Sequence, residues 1–508
     1  VECKKVTTTV GPEQEYFLIS EEEYFKRIDL RMTGRTLFGA PVLRGQELED
    51  HYFGTIKPTI ADFMADLDET LWSFGIPSKT RHNEVAPAQH EMAPVYATTN
   101  VAIDENMLTM ELMKKVAQKH GLICLLHEKP FDGINGSGKH NNWSMSTDTG
   151  LNLLDPGPNP EKNTLFMVVL AAVIDAVDEY QGILRGAVAS AGNDHRLGAN
   201  EAPPAIISVY LGDQLGELVD SIANGRDYVP FRAQEGSIGV PESPIFPKDA
   251  SDRNRTSPFA FTGNKFEFRM LGSQSNVADA NIVINTIIAK TFSKFADELE
   301  GKKDLEKAAR ELVTRTIKAH KRIIFNLDGY GPAWEPEAEK RGLLNNKDTA
   351  DATEVFFEEK NIDVFVSQGV YTEQEALARA MVRLENYVKI INIEAVTMLK
   401  MAKQDIIPAV SDYIAELCSN VAAKKAISEN IPCEAEKSLI TRLSALNDEF
   451  AKQVALLENM LAGIDKEDVR HASKAMAHEI LPQMQAVRKI GDEMETLTAQ
   501  DYWPYPSY

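Results

Sequence analysis

Apolar positions recur along this chain with two different periods, and the change of period divides it. Before residue 290 the regular stretches are short. In GPEQEYFLI, residues 11–19, strict alternation predicts a strand with Glu13, Glu15, Phe17 and Ile19 on one face. In KFEFR, Phe266 and Phe268 alternate with Lys265, Glu267 and Arg269, which predicts a strand whose polar side carries all three charges. The run FMVVLAAVIDAVDE, residues 165–178, is the most apolar of all. It is too short to span a membrane and carries Asp175, so it predicts a buried helix.

After residue 290 the period lengthens and glycine becomes scarce. Thr372 and Glu375 form a capping box at the start of a long predicted helix. Its apolar stripe is Leu377, Met381, Leu384, Val388, Ile391, Ala395 and Met398, with steps alternating between four and three. Pro408 interrupts the next apolar stretch. A further helix carries Leu439, Leu443, Leu446, Phe450, Val454, Leu457 and Leu461. Packing within the chain accounts for such stripes, and contact between subunits is the sharper alternative. Residues 328–349, rich in Gly, Pro and Asn, read as the link between an α/β unit at 1–290 and a mostly helical region at 291–508.

Composition narrows the classes of function. The 508 residues suffice for more than one domain, and the net charge of −22 argues against a nucleic-acid or anionic-membrane binder. The four cysteines form no C-x-x-C pair and no disulfide framework, which favours a reducing, cytoplasmic setting. No apolar stretch of membrane-spanning length is present, and no signal peptide is visible. The chain starts at Val1 rather than Met, which predicts a segment lost upstream.

The glycine-, proline- and asparagine-rich first half also holds the candidate chemistry. Glu13 and Glu15, two residues apart on one strand face, repel each other unless a cation lies beside them. Hard oxygen ligands of this kind suit Mg²⁺ or Mn²⁺, although a solvated edge strand would read the same way. In HNEVAPAQHEM, residues 82–92, Glu84 and Glu91 bracket a turn containing Pro87 and can add two carboxylates to the same cation. In KPFDGINGSGKHNNWSM, residues 129–145, the NGSG turn lets backbone approach a ligand closely. It lacks the spacing of a Walker phosphate loop, and His140 follows it directly. In GNDHRLGANEAPP, residues 192–204, Arg196 and Glu201 sit in a loop ended by two prolines, where a glutamate could cover a site and act as base. Glu267, held ionised between Lys265 and Arg269, can bind metal while its neighbours bind phosphate or carboxylate; a cross-strand ion ladder is the plain alternative.

Taken in order, these motifs resemble the glutamine synthetases. E-x-E, E-x₆-E, NGSG-x-H, R-L with E-A-P, and N-R with E-x-R follow one another over residues 11–270. The wording GRTLFGAP, DHYFG, TRHNEVAPAQHE, LLHEKPFDGINGSGKHNNWS and NDHRLGANEAPP is similar to the type III branch, as are the helical C-terminal half and the ending WPYPSY.

The resemblance implies a mixed α/β fold: a curved, largely antiparallel sheet backed by helices, then a long helical C-terminal region. It implies ATP-dependent ligation of ammonia to glutamate through γ-glutamyl phosphate, with two or three Mg²⁺ or Mn²⁺ per site. Glu15, Glu84 and Glu91 would hold the first cation, and Glu13, His140 and Glu267 the second. Asn135 and Gly136 would lie along glutamate, with Arg196 and Arg269 on its carboxylates and Ser144 near the nucleotide. Arg255 and Lys265 would face the transferring phosphate, and Glu201 would close the site and deprotonate ammonium. Two stacked hexameric rings in the cytoplasm, with no nucleic-acid or membrane partner, complete the implied picture. The alternatives are a related glutamate–amine ligase and an inactive structural relative.

Three departures from the family accompany these expectations. The loop from Arg196 to Glu201 is one residue shorter than in the other branches, and Ala260 stands where a second arginine is expected. The family's N-terminal β-grasp domain, which lends an aspartate to the neighbouring subunit's site, is not recognisable here.

Overall fold

The alternation over residues 11–19 forms two strands, not the single one predicted. In the computed structural model, which describes residues 3–226, 228 and 256–507, β1 (Val6–Pro12) ends just before Glu13 and β2 (Gln14–Ser20) begins just after it. The remaining strands are β3 (Ser78–Asn83), β4 (Gln89–Pro94), β5 (Ala97–Thr98), β6 (Leu122–Leu125), β7 (Gly138–Thr147), β8 (Val209–Tyr210), β9 (Phe259–Phe261) and β10 (Phe266–Gly272).

Among the described residues they form two sheets, β5-β1-β7-β10-β9-β8 and β3-β4-β2-β6. Every pairing is antiparallel except β8 with β9. Glu13 sits on the seam, its N–H donating to the carbonyl of His140 at 3.0 Å. The polar alternation continues through the seam because Glu13 and Glu15 face one cleft from two sheets. Pattern alone therefore cannot reveal the break.

Helices cover the sheets as their apolar periods predict. Thr164–Glu179 is the buried helix expected from the apolar run, and Asp175 inside it accepts a hydrogen bond from Lys294. The capping box at Thr372 is formed, with Glu375 N–H donating to Thr372 Oγ1 and Thr372 N–H to Glu375 Oε2. The helix it opens runs Glu373–Met401. Pro408 does not break the path. A π-helical turn, Ala402–Ile406, precedes the helix Ile407–Ile427 and places Pro408 in the first turn of that helix, where proline is tolerated. Pro482 follows a second such turn, Met476–Ile480.

Apolar packing continues across residue 290. One apolar core runs from Val10 through the sheet to Trp334, Phe365 and Ala380. A second joins Leu37 and Phe38 to the helices after Tyr387 and to Trp503 and Tyr505. Within the supposed link, Trp334 is buried and stacks on Phe325 with ring centroids 3.7 Å apart. Glycine and proline mark the neighbourhood of the cleft rather than the edge of a core.

Candidate active site

Four chain segments bring carboxylates and imidazoles into one cleft. The register Glu15↔Glu91 between β2 and β4, and His82↔Glu91 between β3 and β4, sets three ionisable side chains abreast. Glu84 opens the turn between β3 and β4. His82 Nε2 lies 2.9 Å from Glu91 Oε1 and 3.7 Å from Glu84 Oε1. On the other side of the seam, His140 on β7 places Nδ1 3.2 Å from Glu13 Oε2 and 2.9 Å from Glu267 Oε1, with Nε2 3.8 Å from Glu15 Oε1. Glu267 is flanked by Arg269, whose Nη2 donates to it at 3.0 Å.

This crowding perturbs the members of both groups. Burial, then the charges of Glu15 and Glu91, push Glu84 up to about 8, and burial also raises Glu91. The Glu91 hydrogen bond raises His82 to about 9. Burial opposes protonation of His140, but its bonds to Glu13 and Glu267 outweigh it and hold the ring well above its usual range. Burial likewise works against the ionised form of Glu267, yet His140 and Arg269 keep it far below the usual carboxylate range. Clustered anions that suppress one another's ionisation are relieved by a cation.

Among the described residues, two groups in this cleft have donor atoms close enough to share an ion, Glu13, His140 and Glu267, and His82, Glu84 and Glu91; a third, Asp348, Asp351 and His478, is formed by other segments. Carboxylate oxygens with one imidazole in each fit Mg²⁺ or Mn²⁺. The first group is the expected second set. In the other, His82 stands with Glu84 and Glu91, while Glu15 accepts the Gly138 N–H at 2.6 Å. Sequence reasoning passed over His82, whose i, i+2 spacing to Glu84 was the available signal.

The NGSG segment forms the cleft wall. Its glycines are required by close approach rather than by turn conformation. A Cβ on Gly138 would collide with the Arg196 guanidinium, and one on Gly136 with the Glu128 carbonyl. Arg196 is 3% exposed and donates to the carbonyls of Arg269 and Leu271 at 3.3–3.4 Å, with Nε unpartnered. Asn135 donates through Nδ2 to Glu201 Oε2 at 3.2 Å. Glu201 and Asn200 both occupy the left-handed region, at φ 67° and 53°, unusual for residues with a Cβ. Tyr330 steadies this loop by donating its hydroxyl to the Ala202 carbonyl at 2.8 Å.

Farther along β7, Ser144 donates to the Asn264 carbonyl at 2.9 Å, and Lys265 donates to Thr262 Oγ1 at 2.9 Å. Arg255 and Arg253 lie outside the described residues. All four cysteines are free thiols.

The family model described as the glutamine synthetase catalytic domain matches residues 1–208, and the glutamine synthetase C-terminal domain matches residues 308–425. A glutamine synthetase of Butyrivibrio fibrisolvens is 47% identical over 100% of this chain and 73% of its own length. A type-3 glutamine synthetase of Dictyostelium discoideum is 40% identical over 99% of this chain and 70% of its own. A glutamine synthetase of Bacteroides fragilis is 40% identical over 99% and 71% respectively.

Proposed function

The chain belongs to the glutamine synthetase family, and from that premise we propose that it joins ammonia to glutamate through γ-glutamyl phosphate, consuming ATP and releasing ADP and phosphate. The observation that carries the reading is the meeting of Glu13, Glu15, Glu84, Glu91, His140 and Glu267 in one cleft beside Asn135 and Glu201.

The chemistry divides into two displacements. A γ-carboxylate oxygen of glutamate attacks the terminal phosphorus of ATP, and the bond to ADP breaks. Ammonia then attacks the acyl carbon, and phosphate leaves. Divalent cations held by Glu13, His140 and Glu267, and by Glu84 and Glu91 with Glu15 or His82, would supply neutralising charge for the phosphates. Lys265 and Arg255 add cationic charge at the transferring phosphate. Arg269, paired with Glu267, brings positive charge toward the glutamate carboxylates, and Arg196 braces the wall behind Gly136 and Gly138. Ser144 sits on the nucleotide side.

Ammonium has no lone pair and must lose a proton before it attacks. Glu201 takes that proton, and its loop excludes water that would otherwise hydrolyse the acyl phosphate. Assembly as two stacked hexameric rings and a cytoplasmic location belong to the same reading. Among the described residues no helix is long and apolar enough to cross a membrane.

The test is phosphate released from ATP with glutamate, with and without ammonium, alongside glutamine formed. Equal amounts of phosphate and glutamine are expected with ammonium present. ATP turnover indifferent to glutamate would overturn the reading.

A further inference from the structure

Between Gly34 and Pro58 the chain forms neither strand nor a regular helix, yet it is held at several points, two of which bear on the site. At its base the helix Leu481–Leu497 grips residues 36–40. Arg488 Nη1 donates to the Thr36 carbonyl at 3.0 Å, Gly39 N–H donates to Asp492 at 2.7 Å, and Ala40 N–H donates to Glu495 at 2.8 Å. Farther along, Gln46 meets Asn135 in a reciprocal pair. Asn135 N–H donates to Gln46 Oε1 at 2.8 Å, and Gln46 Nε2 donates to Asn135 Oδ1 at 2.8 Å.

The polarity of this pair is fixed. A side-chain amide can turn over and exchange its oxygen and nitrogen, but a backbone N–H can only donate. The Asn135 N–H therefore demands the oxygen of Gln46. The nitrogen of Gln46 must then face Asn135 Oδ1, which turns Asn135 Nδ2 toward Glu201 Oε2 at 3.2 Å. The chain of donors starts at a group that cannot reverse and ends on a carboxylate that can only accept. Glu201 sits on left-handed backbone, so its conformation depends on contacts of this kind.

We propose that Gln46 is a positioning residue: it sets the orientation of the Asn135 amide and so holds the Glu201 carboxylate where ammonium loses its proton. The inference rests on the glutamine-forming reading of the site.

Gln46→Glu tests it with minimal change of shape. The introduced carboxylate still accepts the Asn135 N–H but cannot donate to Oδ1. The Asn135 amide then turns over and presents oxygen to the Glu201 carboxylate. At saturating substrates kcat for glutamine should fall tenfold or more, phosphate released per glutamine should rise above one, and KM for ATP should stay within twofold. Gln46→Met removes both bonds without imposing a wrong orientation, so its loss should be smaller. In a Glu201→Gln background the Gln46→Glu change should add little, because the two act through one contact.

A Gln46→Glu enzyme that remains coupled at wild-type speed overturns the proposal. So does a loss as large in Gln46→Met as in Gln46→Glu, or one that multiplies unchanged on Glu201→Gln. If the unaltered enzyme makes no glutamine, the reading of the reaction fails first. If it does and Gln46→Glu is silent, the relay alone fails.

Discussion

Lys139 lies one residue before His140 on β7 and is wholly buried, donating to Met110 Sδ at 3.0 Å and to the Ser275 carbonyl. Burial lowers its ammonium from 10.5 to about 7, more than nearby Glu128 can offset. Between those two values the unfolded chain binds a proton that the folded chain does not, so stability should rise as pH increases from about 7 toward 10.5. Lys139→Met should flatten that rise. Urea unfolding near the two ends of that pH window, on enzyme and variant, gives the comparison. A variant retaining the full slope would place its origin elsewhere.

At the same scale, much of the site was legible from residue type and spacing. Glu13, Glu15, Glu84, Glu91, His140 and Glu267 stand in motifs with unusual local density of acid, and the fold brings them to one cleft. Gln46 carried no signal, because its importance comes from a partner 89 positions away rather than from its neighbours. Arg196 was legible as a site residue, but its burial against Gly136 and Gly138 depends on a close approach that composition does not encode.

Helices were the most readable elements and strands the least. The capping box and the four–three stripes located Glu373–Met401 and Glu434–Ala462 directly. Alternation could not reveal the seam at Glu13, and a proline could not announce the π turn that absorbs it. Gly491, within Leu481–Leu497, shows how packing can reverse propensity. Alanine is the better helix former by roughly 1 kcal/mol. A Cβ there would meet the Phe38 ring at 2.7 Å, and Phe38 itself packs edge-on to Phe450 with centroids 5.9 Å apart. The aromatic pair has little room to yield, and overpacking of this kind costs about 1–3 kcal/mol. Gly491→Ala should therefore lower the urea midpoint of unfolding with no change in slope. A raised midpoint would mean that the ring moves freely.

Over the whole molecule, the core around Leu37, Phe38 and the helices after Tyr387 is tied together by charge as well as by apolar contact. Arg35 makes a bidentate pair with Glu394, Nε to Oε1 at 2.9 Å and Nη2 to Oε2 at 2.6 Å, and Glu394 is 0% exposed. Such a pair adds little against an apolar replacement, but removing one partner strands a buried charge at about 3–5 kcal/mol. Arg35→Ala should destabilise on that scale, and Arg35→Ala with Glu394→Leu should recover much of the loss. Unfolding by urea reads both. A single variant as stable as the parent would show that Glu394 finds another partner.

The bonds from Arg488, Asp492 and Glu495 to residues 36–40 join segments as much as 455 positions apart. A ribosome adding roughly 5–20 residues per second needs about 20 to 90 s to travel between them. Every proposed carboxylate and imidazole ligand of the cleft has emerged by residue 267, long before the helix that tethers the Gln46 loop exists. A nascent chain therefore carries every proposed ligand for much of its synthesis without the helix that holds residues 36–40. Assembly of the cleft must wait for the core that runs on to Ala380, so a chain terminated near residue 267 would hold its proposed ligands without the packing that brings them together.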